Sequence, residues 1–300
     1  MLTRCLFYLL LYPLSLLPLP LLYGISKLFY WIICYIVKYR EKVIDKNLQN
    51  SFPEWSDAER KKVKKEYYKH LAELAAEMIK MLTMSRKSVM RRYRCVNPEL
   101  VNACFDDNRS VILMSSHYNN WEWMVLSLAM QFKHRGVGVG APNSNKVFEK
   151  LINRVRTRYG TEVIFANHIR DDFQKSADGE QLTAYMMLSD QSPPNPNKSY
   201  ITTFLHQPTA VIFGGEYYAK KYDFPVFYYQ VKKRKRGFYE IELQLITDTP
   251  THCAQGAITE QYLTLLENTI RENPAFWLWS HKRWKHRVEE LQVTELTINN

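Results

Sequence analysis

The sequence predicts an α/β fold in which a mostly parallel sheet is flanked by helices, with an N-terminal apolar helical membrane anchor. From about residue 105, short apolar runs alternate with helical patterns. Strands that alternate with helices pair in parallel through right-handed crossovers. The first 40 residues are far more apolar than the rest. A chain of 300 residues with 46% hydrophobic side chains buries a sizeable core, which excludes a disordered protein.

Residues 1–40 are predicted to form the membrane anchor. The stretches 5–24 and 28–37 carry no charge, and apolar sequence continues where a secretory signal would give way to a polar mature chain. A straight spanning helix is disfavoured by three prolines, Pro13, Pro18 and Pro20. The segment is therefore an anchor or a partly inserted helical hairpin, the alternative being a buried helix pair in a soluble domain. A cytoplasmic body is indicated by the basic residues that follow, Lys38, Arg40, Lys42 and Lys46.

Residues 41–104 are predicted to be the helical N-terminal part of the body. Ser56 and Glu59 form a capping-box pattern that begins a helix. An apolar face then recurs at steps of three and four, at Val63, Tyr67, Leu71, Leu74, Met78 and Leu82. This pattern is typical of core packing.

Residues 105–290 are predicted to form the α/β domain, followed by a tail at 291–300. The predicted strands cover 111–116, 137–140, 162–166, 183–189, 225–232 and 238–246. The predicted helices cover about 121–132, 146–158, 209–221 and 257–272. The basic run KKRKRG at 232–237 separates two of the strands and is predicted to be a hairpin tip.

His117 and Glu122 are the candidate catalytic residues. If 111–116 is a strand, His117 lies at its carboxyl end, where open α/β sheets bind ligands. Asn119 or Asn120 then caps the next helix and places Glu122 in its first turn. A glutamate there can accept a hydrogen bond from the imidazole, which would make His117 a general base. The alternative is a strand-end histidine and a helix-start acid favoured by the helix dipole.

A covalent intermediate is not indicated by the neighbouring residues. Ser115 and Ser116 lack the glycines of a nucleophile elbow, and Cys104 precedes the strand. Direct attack of an acceptor hydroxyl on a bound electrophile is therefore favoured. The five cysteines form no C-x-x-C pair, which argues against a disulfide framework or a zinc knuckle and favours a reducing compartment.

Four motifs in order resemble the lipid A late acyltransferase family, the lauroyl and myristoyl transferases of the lysophospholipid acyltransferase superfamily. They are H-x(4)-E at 117–122, R-x-R-x-G at 156–160, the Asp-Gln pair at 190–191, and NPAFWLWSHKRWKHR at 273–287. The N-terminal apolar block and its Phe-Pro at 52–53 match as well. The Phe-Pro-Glu-Gly-Thr-Arg block of the glycerol-phosphate branch is missing. The resemblance implies a glycerolipid-acyltransferase-like fold.

The resemblance also implies O-acyl transfer from acyl–acyl carrier protein to a hydroxyl of a phosphorylated glucosamine lipid, a lipid A precursor. His117 would take the hydroxyl proton, and Glu122 would orient His117. The candidate substrate-binding residues are Asn120, Arg156, Arg158, Asp190 and Gln191. The two arginines would hold acceptor phosphates or the developing oxyanion, or else lie solvated on a helix face. No metal or redox cofactor is expected, because a thioester is already activated.

The excess of 11 basic over acidic residues favours anionic partners. The run KKRKR is expected to dock an anionic bilayer or to form a solvated turn. The tryptophans and basic residues at 277–287 suit a membrane interface. His281 and His286 have the spacing of a metal pair but no carboxylate or cysteine partner. The expected location is the inner membrane, with the body on the cytoplasmic side.

Three rival functions remain open from the sequence. The same fold could acylate a lysophospholipid, an aminolipid or another glycolipid. A basic nucleic-acid-binding protein is disfavoured by the apolar N-terminus and by the lack of a reading motif. A non-catalytic membrane scaffold is disfavoured by the intact His117 and Glu122 pair. The sequence predicts neither acyl-chain length nor oligomeric state.

Overall fold

The computed structural model describes residues 2–291. Its strands are β1 (Tyr93–Cys95), β2 (Val111–Ser115), β3 (Arg135–Gly140), β4 (Glu162–Phe165), β5 (Thr183–Leu188), β6 (Tyr200–Phe204), β7 (Gln207–Val211), β8 (Val226–Lys235) and β9 (Phe238–Thr247). Its first helices are α1 (Leu2–Cys5), α2 (Tyr12–Leu16), α3 (Leu19–Trp31), α4 (Glu41–Ser51), α5 (Asp57–Met81) and α6 (Arg86–Arg92). The later helices are α7 (Glu99–Asp106), α8 (Trp121–Gln131), α9 (Lys146–Arg156), α10 (Ile169–Ala177), α11 (Gly214–Tyr222) and α12 (Ala257–Glu272).

Seven strands form one sheet in the order β1-β9-β8-β2-β5-β3-β4. Every neighbouring pair is parallel except β8 and β9, which form an antiparallel hairpin. The predicted mostly parallel α/β fold is therefore confirmed. The basic run KKRKRG lies at the end of β8 and in the turn to β9, as the sequence predicted.

A second, two-stranded sheet of β6 and β7 was not predicted. The sequence indicated a helix over 209–221, but 207–211 is strand and the helix α11 begins at Gly214. The turn between β6 and β7 contains Leu205 and His206 with φ of 49° and 63°. Glycine or asparagine usually marks such positions, so these residues gave no turn signal.

The sheet is buried on both faces. Along β2, Val111 and Leu113 point into one hydrophobic core, and Ile112 and Met114 point into the other. This explains why β2 reads as a continuous apolar run rather than an alternating one.

The N-terminal segment is helical from residue 2 to residue 36, with a break at Leu17 and Pro18. The stretch Leu19–Ile36 is long and apolar enough to cross a membrane, and 28% of it is buried inside the protein. Leu22 and Tyr23 belong to the first core. The hydrophobic core thus extends across the predicted boundary at residue 40. The predicted domain limits stay a prediction, and residues 292–300 of the predicted tail lie outside the described residues.

Candidate active site

The register of the central strands brings two polar residues together. Ser115 at the end of β2 lies opposite Leu188 at the end of the neighbouring strand β5. His117 and Asp190 each follow two residues later. They therefore emerge side by side at the carboxyl edge of the sheet, where α/β proteins bind ligands.

His117 and Asp190 form a hydrogen-bonded pair. The imidazole Nδ1 lies 2.8 Å from Asp190 Oδ1, and the backbone N–H of His117 donates to Oδ2 at 2.9 Å. The indole N–H of Trp277 also donates to Oδ2, at 2.9 Å. Burial alone would raise the pKa of Asp190, but the charge of His117 and these hydrogen bonds outweigh it and lower that pKa. The ionised carboxylate fixes the proton on Nδ1, so Nε2 carries the free lone pair.

Glu122 has a different partner from the one predicted. Its two carboxylate oxygens accept from Arg156 Nε at 2.8 Å and from its terminal nitrogen at 2.6 Å. Glu122 is buried, and a bidentate guanidinium satisfies a buried carboxylate better than one imidazole nitrogen. The predicted contact between Glu122 and His117 is therefore corrected: the carboxylate that meets His117 is Asp190.

Asn120 caps α8, as one of the two predicted candidates. Its Oδ1 accepts from the backbone N–H of Trp123 at 2.9 Å, and its Nδ2 donates to Glu77 at 2.6 Å. The side chain is buried with both polar ends used. The structure therefore gives Asn120 a positioning role in place of the predicted substrate contact.

Glu77 was missed by the sequence reasoning. It is fully buried in α5, and it accepts hydrogen bonds from Tyr23 at 2.7 Å, Tyr239 at 2.8 Å and Asn120. A signal was present, because Glu77 falls beside Leu74 and Met78 on the apolar face of its helix. A carboxylate on a buried face needs partners.

Neither Arg158 nor Gln191 has a described hydrogen bond to His117 or Asp190. The guanidinium of Arg158 donates to the carbonyls of Met81, Leu82 and Met84 at 2.7–3.0 Å. The carbonyls of Met81 and Leu82 end α5 and have no partner within the helix, and the carbonyl of Met84 lies in the connection to α6. Arg158 thus serves as a cap, which replaces the predicted phosphate contact. Gln191 is half-buried and follows Asp190 in the loop after β5.

The C-terminal tryptophans are core residues rather than a membrane interface. Trp277 is 2% exposed and Trp279 is fully buried. Their ring centroids lie 4.8 Å apart at right angles. Because Trp277 also holds Asp190, the prediction that this segment meets the bilayer is wrong for these two side chains.

His281 contacts the loop that follows Asp190. Its Nε2 accepts a hydrogen bond from the backbone N–H of Ser192 at 3.2 Å. Burial lowers the pKa of His281 to about 4, with the Asp190 carboxylate opposing the shift and His117, Arg283 and Lys285 adding to it. The ring is therefore neutral at physiological pH.

We expect acid to destabilise the protein partly through His281. Its folded pKa lies below the ordinary value near 6.5, so the unfolded chain binds the proton more readily and stability falls as pH drops from about 6.5 to 4. In His281→Gln, which keeps an acceptor, the melting temperature should fall several degrees less between pH 7 and pH 5, measured by thermal unfolding. Equal slopes for both proteins would contradict the assignment.

The alternative nucleophiles, Ser115, Ser116 and Cys104, are disfavoured by their surroundings. The hydroxyl of Ser115 donates to the carbonyl of Tyr229 at 2.8 Å, and Ser116 is buried. Burial raises the pKa of the Cys104 thiol, which disfavours the thiolate. Among residues 2–291, no cluster of three or more histidine, cysteine or acidic side chains has the arrangement of a metal site.

Comparisons with known proteins identify the class. Residues 2–286 match the family of bacterial lipid A biosynthesis acyltransferases. The chain belongs to this family. It is also similar to the lipid A biosynthesis lauroyltransferase of Escherichia coli (strain K12), with 23% identity over 281 residues that cover 91% of this chain and 88% of the relative. This lipid A biosynthesis acyltransferase therefore carries its candidate base, His117, at the carboxyl edge of the sheet.

Proposed function

We propose that this acyltransferase moves a fatty acyl chain from acyl–acyl carrier protein to a hydroxyl of a phosphorylated lipid A precursor. The observation that carries the proposal is the bond between His117 Nδ1 and the buried Asp190 carboxylate. When the imidazole donates its Nδ1–H to this carboxylate, the lone pair of Nε2 is free to accept a proton, at the sheet edge where α/β proteins bind ligands.

The reaction needs no covalent enzyme intermediate. His117 Nε2 takes the proton of the acceptor hydroxyl while that oxygen attacks the thioester carbonyl. A new C–O bond forms, and the carbonyl electron pair moves onto oxygen. When that pair returns, the C–S bond breaks, and His117 gives its proton to the departing thiolate. Asp190 stabilises the imidazolium that exists between the two proton transfers.

Arg156 is the proposed source of a fixed positive charge for this chemistry. Its ion pair with Glu122, five residues after His117, fixes the guanidinium beside the loop. Burial alone would lower the pKa of Arg156, but Glu122 raises it above its ordinary value. In the proposed mechanism Arg156 faces the oxyanion or an acceptor phosphate, because fixed charge stabilises developing charge without reorganisation. Glu122 acts through Arg156.

The proposed partners are acyl carrier protein, a phosphorylated glycolipid acceptor and an anionic membrane surface. The proposed location is the cytoplasmic side of the inner membrane. The net charge of +11 supports contacts with all three, since each is anionic. No metal or redox cofactor takes part in the proposed reaction, since the thioester is already activated.

The test is acyl transfer by the purified protein in detergent. The donor is acyl–acyl carrier protein, and the acceptors, offered separately, are a tetra-acylated disaccharide lipid and a lysophospholipid. We expect mass spectrometry to find one added acyl chain on the disaccharide lipid only. The matched controls are His117→Ala as the inactive enzyme and His168→Ala, which alters an exposed histidine of a short helix.

Two results would contradict the proposal. Transfer to the lysophospholipid alone would assign another acceptor to the same site. Transfer from acyl–coenzyme A at the same rate as from acyl–acyl carrier protein would remove the carrier protein as a specific partner.

A further inference from the structure

The N-terminal segment lies along α5 instead of standing away from the body. The ammonium of Lys80 donates to the carbonyls of Ser15 and Leu17 at 2.9 and 3.0 Å. Tyr23 lies in the first turns of α3, and its hydroxyl donates to Glu77 at 2.7 Å. These contacts fix the amino-terminal half of the segment to the last turns of α5.

The other end of the segment is also held by α5. The hydroxyl of Tyr68 donates to the carbonyl of Tyr39 at 2.9 Å. As the residue number rises from 17 to 39 in the segment, the contacted residue in α5 falls from 80 to 68. The segment and α5 therefore run antiparallel, with both ends of the apolar stretch attached to the same body helix.

This arrangement does not fit a helix that crosses the bilayer. If Leu19–Ile36 spanned the hydrocarbon, α5 would enter it alongside. The exposed basic side chains in or next to the contacted stretch of α5 would then be buried in lipid, namely Lys69 and, one turn before it, Lys65. Charges at that depth are costly and need partners.

One face of the segment is apolar and open to solvent. In the helical stretch from 19 to 36, the buried side chains include Leu22, Ser26 and Ile33. Apolar side chains at helical spacing form an exposed stripe on the other side of the helix. They are Leu21, Ile25, Leu28 and Ile36. The preceding helices add a second exposed group, Leu6, Leu9, Leu10 and Leu16. Several exposed apolar side chains grouped in this way mark a contact site on a protein surface.

Basic side chains border this apolar face. Lys27 and Lys38 are exposed within and just after the segment. The β8–β9 hairpin tip also reaches the N-terminal segment, because the guanidinium of Arg236 lies 5.1 Å from the ring centroid of Tyr23. Lys235, next to Arg236, is exposed. An apolar face with a basic border fits an anionic lipid surface.

We propose that the N-terminal platform, the exposed face of residues 6–38 together with the hairpin tip 232–237, lies in the plane of an anionic bilayer without crossing it. The apolar stripe enters the acyl boundary, and the lysines meet the headgroups. This inference concerns the membrane contact of the proposed enzyme and does not depend on which lipid is acylated.

The first test compares the sides of the membrane reached by the two ends of the full chain. Epitope tags before Met1 and after Asn300 are exposed to an impermeant protease in spheroplasts, before and after the inner membrane is opened. We expect both tags to become cleavable together, only after opening. Cleavage of the amino-terminal tag alone in intact spheroplasts would overturn the proposal. Cleavage of both tags in intact spheroplasts would support the in-plane contact and contradict the cytoplasmic location in the proposed function.

The second test separates the platform from an inserted hairpin, whose ends would also share one side. The hydroxyl of Thr83 donates to the Ser15 carbonyl at 2.6 Å. In a chain whose native cysteines are replaced, Ser15→Cys with Thr83→Cys should be joined by a short bis-maleimide in native membranes as efficiently as in detergent. The remote pair Ser15→Cys with Lys175→Cys is the control. Cross-linking in detergent only would overturn the proposal, because the segment would then leave α5 in the membrane.

The third test addresses the basic border. The double variant Lys27→Gln and Lys235→Gln should bind phosphatidylglycerol-containing vesicles about tenfold more weakly than the wild type. Binding to pure phosphatidylcholine vesicles should not change. Lys175→Gln, an exposed lysine of α10, is the matched control. If Lys175→Gln weakened vesicle binding equally, the bilayer contact would not be specific to the platform, and the proposal would be contradicted.

Discussion

Replacing Asp190 with asparagine should lower kcat by about a thousandfold, close to the loss caused by His117→Ala. Asparagine has almost the same shape, so the loop after β5 keeps its packing. It no longer carries the charge that stabilises the imidazolium, and its amide can present an N–H toward Nδ1. The proton then shifts to Nε2, which removes the base. KM should change little, because the substrate contacts remain.

The double variants distinguish the two possible carboxylate partners. If Asp190 and His117 act as one unit, the variant Asp190→Asn with His117→Ala should be no slower than His117→Ala alone. Glu122→Gln should instead lower the residual rate of His117→Ala further, because it disturbs Arg156, a separate group. The measurement is kcat for acyl transfer, with circular dichroism to check folding.

The opposite pattern would restore the original hypothesis. Additive losses for Asp190→Asn and His117→Ala, together with non-additive losses for Glu122→Gln and His117→Ala, would show that Glu122 orients the base. The hydrogen bond between His117 and Asp190 would then be structural only.

Local spacing predicted the strand and the helix that flank the candidate site, but not the partners of its side chains. The apolar run before His117 predicted a strand, and Asn120 predicted the start of α8. Both are confirmed. These features depend on a few adjacent residues, whose hydrophobicity and capping act over one or two turns.

The partners could not be predicted because they lie far apart in the sequence. Asp190 reaches His117 through the register of β2 and β5, and 73 positions separate the two residues. Arg156 reaches Glu122 across 34 positions. A carboxylate five residues from a histidine suggested a local pair, but Glu122 instead pairs with the half-buried guanidinium of Arg156. The resemblance to the family named all four residues as candidates without showing which pairs they form.

The C-terminal tryptophans illustrate the same limit. Aromatic and basic residues in alternation fit a membrane interface and a buried segment equally well. Trp277 is buried because the 273–279 segment packs against the loop of His117, where Tyr118 pairs with Trp277. That contact is tertiary, and no pattern within the segment predicts it.

Replacing Glu77 with alanine should destabilise the protein by about 4 kcal/mol. The change leaves three buried donors without their acceptor, the hydroxyls of Tyr23 and Tyr239 and the amide of Asn120. Burial raises the pKa of Glu77, and these hydrogen bonds only partly offset it. The side chain of Glu77 is therefore shielded from solvent, and a donor that loses it as a partner there is left unsatisfied. A fall in melting temperature of about 8 °C is expected.

The matched control is Glu66→Ala on the exposed side of the same helix. It removes an identical group from a solvated position and should shift the melting temperature by less than about 2 °C. Equal shifts for the two variants would contradict a special role for Glu77 and would attribute the loss to helix α5 as a whole.

The consequences of Glu77→Ala should extend beyond stability. Glu77 holds Tyr23 of the N-terminal segment and Asn120, which caps the helix that carries Glu122. Loss of this carboxylate should therefore loosen the N-terminal segment and the loop of the candidate site at once. At a temperature where the variant remains folded, kcat should fall, and Asn120→Ala should lower it less in the Glu77→Ala background than in the wild type, since the hydrogen bond between the two residues is already lost. Full additivity would mean that Asn120 positions the loop without Glu77.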